Sequence, residues 1–247
     1  MSYGHHHHRH VNGQLYLITP PTEDVVTLDE AKAFLRETTN DNDALITALI
    51  AAAVSTIDPA SGGWLGRSLR PTTWELRLPS FGAHTHLGFY HHYYDAIAHP
   101  VGLEVALPYP PLISVDSVKY DDGDGVEQTL TVDTDYRVFG IGAARHARVE
   151  PAYNGSWPTG ARYDDEAVRI RFTTGYATAA PDPLPGAIKQ AVFLMVKALS
   201  DLSERNLFIS AETVEGVGSR NFVVTDNGAN IMRTASENLL STFRVIE

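Results

Sequence analysis

The side chains best suited to chemistry in this chain are its histidines. His84, His86, His91, His92 and His99 crowd one stretch together with Asp95. Neutral imidazole suits zinc, copper or nickel, and a His84-x-His86 pair on a strand puts both rings on one face. Metal enzymes, however, set spaced histidines and a carboxylate on rigid elements, backed by hydrogen-bonding partners. The His-Glu-x-x-His pattern is absent. The stretch instead runs Phe89-Tyr90-His91-His92-Tyr93-Tyr94 with no clean period. Rings with polar tips bury area well at contacts. The expectation is therefore a contact loop inserted between strands, with no bound metal and no cofactor. A second run, His5-His6-His7-His8-Arg9-His10, reads as a tag or a disordered tail, because a flexible histidine tract binds metal without any fold.

Other motifs fall short of a reaction centre. Asp121-Asp-Gly-Asp-Gly125 resembles part of a calcium loop, but a calcium hand needs flanking helices and a distant liganding Glu. Strands flank it here, so a tight turn is expected. Gly-x-Ser-x-Gly is absent, and Ser156 in Gly155-Ser-Trp157 reads as a turn residue. Gly216-x-Gly218 is too short for a dinucleotide loop and reads as a flexible joint. Arg169 and Arg171 lie two apart and share a strand face, expected to be solvated or else to bind acidic groups of a neighbouring subunit. Trp64 and Trp74 read as core or interface anchors.

Composition narrows the classes further. The chain has 247 residues, 43% of them hydrophobic and 20% charged, with a formal net charge of -11. That charge disfavours tight binding to nucleic-acid backbones, which needs clustered Lys and Arg. It is compatible with a wall that DNA passes without sticking. There are no cysteines, so neither disulfides nor a Cys-based zinc site is available. No apolar run is long enough to cross a membrane, and the N-terminus has no apolar signal core.

The elements that must position these residues change period along the chain. Gln14 to Thr19 alternates like a short edge strand and ends at Pro20-Pro21. Thr27-Leu-Asp-Glu30 is a capping box that opens a helix over 28–37. A second helix over 42–58 carries Leu45, Ile46, Leu49, Ile50, Ala53, Val54 and Ile57. Alternation then predicts strands over 72–78, 101–107, 113–120, 128–132, 136–139, 148–150 and 167–172. Pro108, Pro110 and Pro111 stiffen the entry to one of them and remove backbone donors there. Pro185 fits the first turn of a helix over 187–205, whose stripe is Ile188, Val192, Met195, Leu199 and Leu202. Asn221 to Thr225 is a short strand candidate, and Ser236 to Phe243 a modest helix.

In this order the elements resemble the phage head–tail connector (adaptor) family of long-tailed phages and gene transfer agents. The matching residues are Thr27-Leu-Asp-Glu-Ala-Lys32, Asp41-Asn-Asp-Ala-Leu-Ile46, Gly66-Arg-Ser-Leu69 with Thr73-Trp-Glu-Leu76, and Leu107-Pro with Pro110-Pro111-Leu112 and Ser114-Val-Asp-Ser-Val118. Ser156-Trp-Pro158, Val168-Arg-Ile-Arg-Phe172 with Gly175-Tyr176, and Pro185 with Ile188-Lys-Gln190 complete the set, which spans most of 25–205. The resemblance implies a helical bundle with a β-rich insertion, built into a ring beneath the portal, usually of twelve copies. It implies no catalytic residues. The N-terminal tail, the loop over 83–99 and the segment after Asn206 depart from a minimal member of the family.

The expected fold class is α+β: a small helical bundle with an inserted antiparallel β region and an extended C-terminal arm. The expected divisions are a tail over 1–24, a connector core over 25–206 with its β insertion over 72–174, and an arm over 207–247 that orders on a partner, the portal. The expected function is that of a non-enzymatic structural protein of the virion neck, assembled in the host cytoplasm. It would form a ring, receive the portal on one side and a stopper (head-completion) or tail protein on the other, and leave a bore through which DNA passes unbound. No membrane is involved. Interface candidates are Tyr90, His91, Tyr93 and Tyr94 in the loop, with Phe222, Leu239, Leu240 and Phe243 in the arm. The rival readings are a metal-dependent hydrolase using the histidines over 84–99, and a β-rich tail module that binds glycans.

Overall fold

The computed structural model describes residues 13–81, 104–162, 164–179, 181–204, 211–214, 218–221 and 226–245. The histidine-rich tail and the loop over 83–99 lie outside them. The fold is α+β, and the chain divides into two compact units. One comprises Met1–Glu23, Gly66–Thr178 and Val245–Glu247; the other comprises Asp24–Leu65 and Ala179–Arg244.

The first unit is built from strands. Its larger sheet is antiparallel in the order β1 (Gln14–Thr19), β2 (Thr72–Leu78), β8 (Val168–Thr174), β4 (Leu112–Asp121), β5 (Glu127–Leu130). A second sheet pairs β3 (Val105–Leu107) with β7 (Ala147–Pro151), and β7 with β6 (Tyr136–Phe139). Strand alternation sorts the side chains. Trp74, Leu76, Leu78, Val168, Ile170, Phe172 and Val118 are buried on one face of the large sheet, and Val105, Leu107, Ala147 and Val149 are buried in the small one. Phe81 stacks on Trp157 with centroids 4.4 Å apart and meets Tyr120 edge-on at 5.9 Å. Ser68 and Thr174, both fully buried, share a hydrogen bond of 2.9 Å.

Local chemistry closes the strands as their residues require. Asp122 Oδ1 accepts from the backbone N–H groups of Asp124 and Val126, and Gly125 takes φ +79° to turn β4 into β5. Gly175 ends β8 at φ +114°, and a Cβ there would lie 2.2 Å from the Arg70 carbonyl oxygen, so the position admits only glycine. The prolines at 108, 110 and 111 precede the ladder, which begins at Leu112.

The second unit is helical: α1 (Leu28–Leu35), α2 (Asp43–Ile57), α3 (Gly186–Glu204) and α4 (Asp226–Ser241), with a 3-10 turn at Pro59–Ser61. The capping box forms as the sequence predicts. Glu30 N–H donates to Thr27 Oγ1 at 3.2 Å, and Thr27 N–H donates to Glu30 Oε2 at 2.8 Å. Replacing Thr27 with alanine is expected to cost about 1 kcal/mol in urea unfolding followed by helix circular dichroism. Arg36, in the left-handed conformation at φ 61°, ends α1 two residues before the expected limit. Ala31, Ile46, Ala53, Ile57, Ile188, Ala191, Val192 and Val196 are buried, and Phe34 stacks on Phe193 with centroids 5.1 Å apart. Lys189 reaches Glu30 at 3.2 Å and Asp182 at 3.1 Å.

After residue 210 the described residues form a hairpin and a longer helix where the sequence indicates a short strand and a modest helix. A hairpin pairs β9 (Ala211–Val214) with β10 (Gly218–Asn221), and α4 begins ten residues before the expected Ser236. The strand expected over 221–225 is met only at Asn221; 222–225 lie outside the described residues. α4 packs along α3, with Ser236 and Leu240 buried.

Candidate interaction surfaces

Three surfaces carry the chemistry that the described residues offer. The first is the outward face of the large sheet. Because β2 and β8 pair Glu75 with Arg171 and Arg77 with Arg169, their odd-numbered residues line one side. Register shifts in β4 bring Ser117 opposite Arg171 and Lys119 opposite Arg169. Arg171 donates to Glu75 Oε2 through Nη2 at 2.6 Å and Nε at 3.1 Å, while Arg77 Nε donates to Glu75 Oε1 at 2.8 Å. Arg77 Nη1 reaches Glu166 at 2.5 Å, and the Tyr16 hydroxyl donates to the same carboxylate at 2.5 Å. Arg169 grips Asp121 with both Nη atoms, at 2.5 and 3.0 Å, and reaches Glu127 at 3.1 Å. Lys119 completes the chain at 2.7 Å from Glu127.

The electrostatics follow from this geometry. Burial pushes the Glu75 carboxyl up, but the hydrogen bonds and charges of Arg171 and Arg77 outweigh it and hold the group below the usual range. The Arg169 hydrogen bonds likewise hold Asp121 low. Tyr16 is raised, chiefly because its hydroxyl donates to Glu166. The four cations of this face are matched by carboxylates of the same chain. Arg169 and Arg171 are therefore occupied within their own sheet, which accounts for them without an acidic neighbour, and the face offers phosphate no concentrated positive charge.

The second surface is the C-terminal helix. Of the arm residues expected at an interface, Leu240 is fully buried, Leu239 and Phe243 are half-buried, and Phe222 lies outside the described residues, as do Tyr90, His91, Tyr93 and Tyr94. Ile231, on the same helix, is 67% exposed.

The third surface is the outer side of α2. Ile46, Ala53 and Ile57 face inward, yet Leu45 is 44% exposed and Ala44, Ala48, Ala51, Ala52 and Ser55 are also exposed. Residues 44–57 contain no ionisable side chain. The exposed hydroxyls turn back onto the helix: Thr47 donates to the Asp43 carbonyl at 2.8 Å, and Ser55 and Thr56 each donate to the Ala52 carbonyl at 2.9 Å. Apolar spacing groups Leu45 with Ile46, Ala53 and Ile57, whereas the fold leaves it on the exposed side.

The remaining motifs have ordinary partners. Asp122 accepts from two backbone N–H groups and from Gln128, and Asp121 from Arg169, so these two carboxylates are occupied within the chain. Ser156 is exposed in a loop. Trp74 is buried and leans on Tyr109 with centroids 4.8 Å apart, whereas Trp64 is 37% exposed beneath the Arg244 guanidinium at 5.6 Å. Among the described residues no group of three or more His, Asp or Glu is placed to hold a metal ion, and no helix is long and apolar enough to cross a membrane.

His146 is the one histidine outside 5–10 and 84–99. Burial, reinforced by the nearby Arg67 charge, holds its imidazole below the ordinary value despite a backbone hydrogen bond at Leu107. The unfolded chain therefore takes up this proton first. The contribution to stability is complete above about pH 6.5 and declines as pH falls below it. Urea midpoints followed by tryptophan fluorescence are expected to drop between about pH 7 and pH 5.5, and His146→Gln is expected to flatten that drop.

No protein-family model matches the chain, and no curated protein matches it. Solved structures do. A chain in the neck of an empty gene transfer agent (GTA) particle, computed with C6 symmetry, is 18% identical with a TM-score of 0.61, over 95% of this chain and 96% of that one. A chain in the virion of a native gene transfer agent particle is 18% identical over the same shares, with a TM-score of 0.59. A third, in the neck of a native GTA particle computed with C12 symmetry, is 18% identical over the same shares, with a TM-score of 0.55. At this identity the likeness is one of fold, and it extends over nearly the whole chain.

Proposed function

We propose that this chain is a structural protein of a phage-like virion neck: a head–tail connector of the adaptor type, without enzymatic activity. Twelve copies form a ring beneath the portal. They offer the opposite side to a stopper or tail protein and leave a bore for DNA. The observation that carries the proposal is fold likeness over 95% of the chain to chains from particle necks, two of them computed with C6 and C12 symmetry. Three features of the chain support it. The net charge of -11 discourages phosphate from adhering to a channel wall. The outward sheet face is ion-paired internally and so leaves passing DNA unattracted. The uncharged outer side of α2 is suited to contact with protein.

The test is deletion of the gene in the phage or agent that encodes the chain. Heads should accumulate without tails, free tails should collect beside them, and the intact gene supplied separately should restore joining. Normally tailed, infectious particles from the deletion would overturn the proposal.

A further inference from the structure

We propose that the turn after α4 is a clasp. Val245 seated against Gly66, with Arg244 stacked on Trp64, fastens α4 in place, and undoing the pair frees the helix as a flap. The inference stands apart from the neck proposal and uses none of it.

α4 is lightly packed. A helix of 16 residues is marginal in water by itself, so packing must hold it. Of its apolar side chains from Ile231 onward, only Leu240 is fully buried. Met232, Ala235 and Leu239 are half-buried, and Ile231 is 67% exposed. Several of its polar groups bond within the helix and so do not tie it down. Arg233 reaches Glu237 at 3.7 Å, Ser236 Oγ donates to the Arg233 carbonyl at 2.7 Å, and Ser241 Oγ donates to the Asn238 carbonyl at 2.7 Å.

Just beyond α4 the chain is held closely. The N–H groups of Phe243 and Arg244 both donate to the Leu240 carbonyl, at 2.9 and 3.0 Å, which keeps the last turn wound. The Arg244 guanidinium then lies over the Trp64 ring, 5.6 Å from its centroid. One residue on, Val245 meets Gly66. Gly66 has φ +67°, and a Cβ there would lie 2.3 Å from the Val245 carbonyl oxygen, 3.2 Å from its carbonyl carbon and 3.3 Å from its Cβ. These are the three nearest atoms, so Val245 fills the space a side chain would take. Glycine is needed there twice, by the left-handed backbone and by the close approach. Each contact lies within one compact unit: Trp64 and Arg244 in the helical one, Gly66 and Val245 in the strand one.

The seat is fixed. Leu65, between Trp64 and Gly66, is fully buried, and the N–H groups of Trp64 and Leu65 donate to the Thr56 and Ile57 carbonyls at 3.3 and 3.2 Å. Local opening costs least where few apolar groups are buried. Opening of α4 therefore starts at the Ile231 end and is checked at the clasp.

The experiment is hydrogen exchange read by mass spectrometry, on the full chain and on a chain ended at Phe243. Amides over 231–241 are expected to exchange about tenfold or more faster in the shortened chain, while those of α2 and β8 keep their rates. Arg244→Ala, which loses only the ring contact, should give a smaller rise of the same pattern. Gly66→Ala in the full chain should also raise exchange over 231–241. In the shortened chain it should add nothing there, because Val245 is no longer present to be displaced. Unchanged protection over 231–241 on shortening overturns the inference. Loosening of α2 in step with α4 overturns it as well, since α4 would then be part of the helical core rather than a flap. Further loosening of 231–241 by Gly66→Ala in the shortened chain overturns the role given to Gly66.

Discussion

Phe172→Ala is expected to destabilise the strand unit by about 3–5 kcal/mol, the largest loss from any single truncation considered. Phe172 is fully buried on β8, the central strand of the five-stranded sheet. It stands opposite Trp74 on β2 and Val115 on β4, so its ring is packed from both neighbouring strands. Removing it forfeits the apolar transfer energy and leaves a cavity that two hydrogen-bonded neighbours prevent from closing. Trp74 and Trp157, two of the three tryptophans, are buried in the same unit. Urea unfolding followed by their fluorescence should show an earlier midpoint with little change in slope. A midpoint within the error of the wild type would show that this sheet is not the packed interior described.

Arg171→Ala ranks second, at about 2–3 kcal/mol, because of what it leaves behind. The Glu75 side chain is only 6% exposed, and Arg171 supplies two of its hydrogen bonds. A surface ion pair would be worth little. Here the cost is a carboxylate stranded in a dry site with Arg77 as its remaining cation. Arg171→Lys should lose less, keeping the charge but not the forked geometry. Combining Arg171→Ala with Glu75→Gln should cost less than the sum of the two, the mark of a coupled pair. The acid response follows from the depressed folded value of Glu75. Its contribution is complete above the unfolded value near pH 4.3 and is lost as pH falls through the lower folded one. In Arg171→Ala that acid loss should shrink.

Much of the scaffold was legible because period and punctuation are local properties. Alternation located β2 and β6 to the residue, the Thr27 box located the start of α1, and Pro185 with its apolar stripe located α3 to within a residue. What escaped was relational. Arg169 and Arg171 are two residues apart in sequence, but their partners Asp121 and Glu75 are 48 and 96 residues away, and only sheet register brings them together. Local signals predict a helix only over Ser236–Phe243, because Asp226 to Thr234 offers few apolar residues, and packing along α3 supplies what local propensity lacks. The neutral outer side of α2 was visible as a gap between Asp43 and Asp58, a signal made of missing residues. The aromatic loop candidates lie outside the described residues, and their role in contacts is a proposal.

Cryo-electron microscopy of the neck of purified particles tests the central claim most directly. The account predicts density for this chain as a closed ring, twelve copies around the particle axis, coaxial with an open bore and set between portal and tail. Particles whose neck lacks the chain, or that hold it as a single off-axis copy, would contradict it.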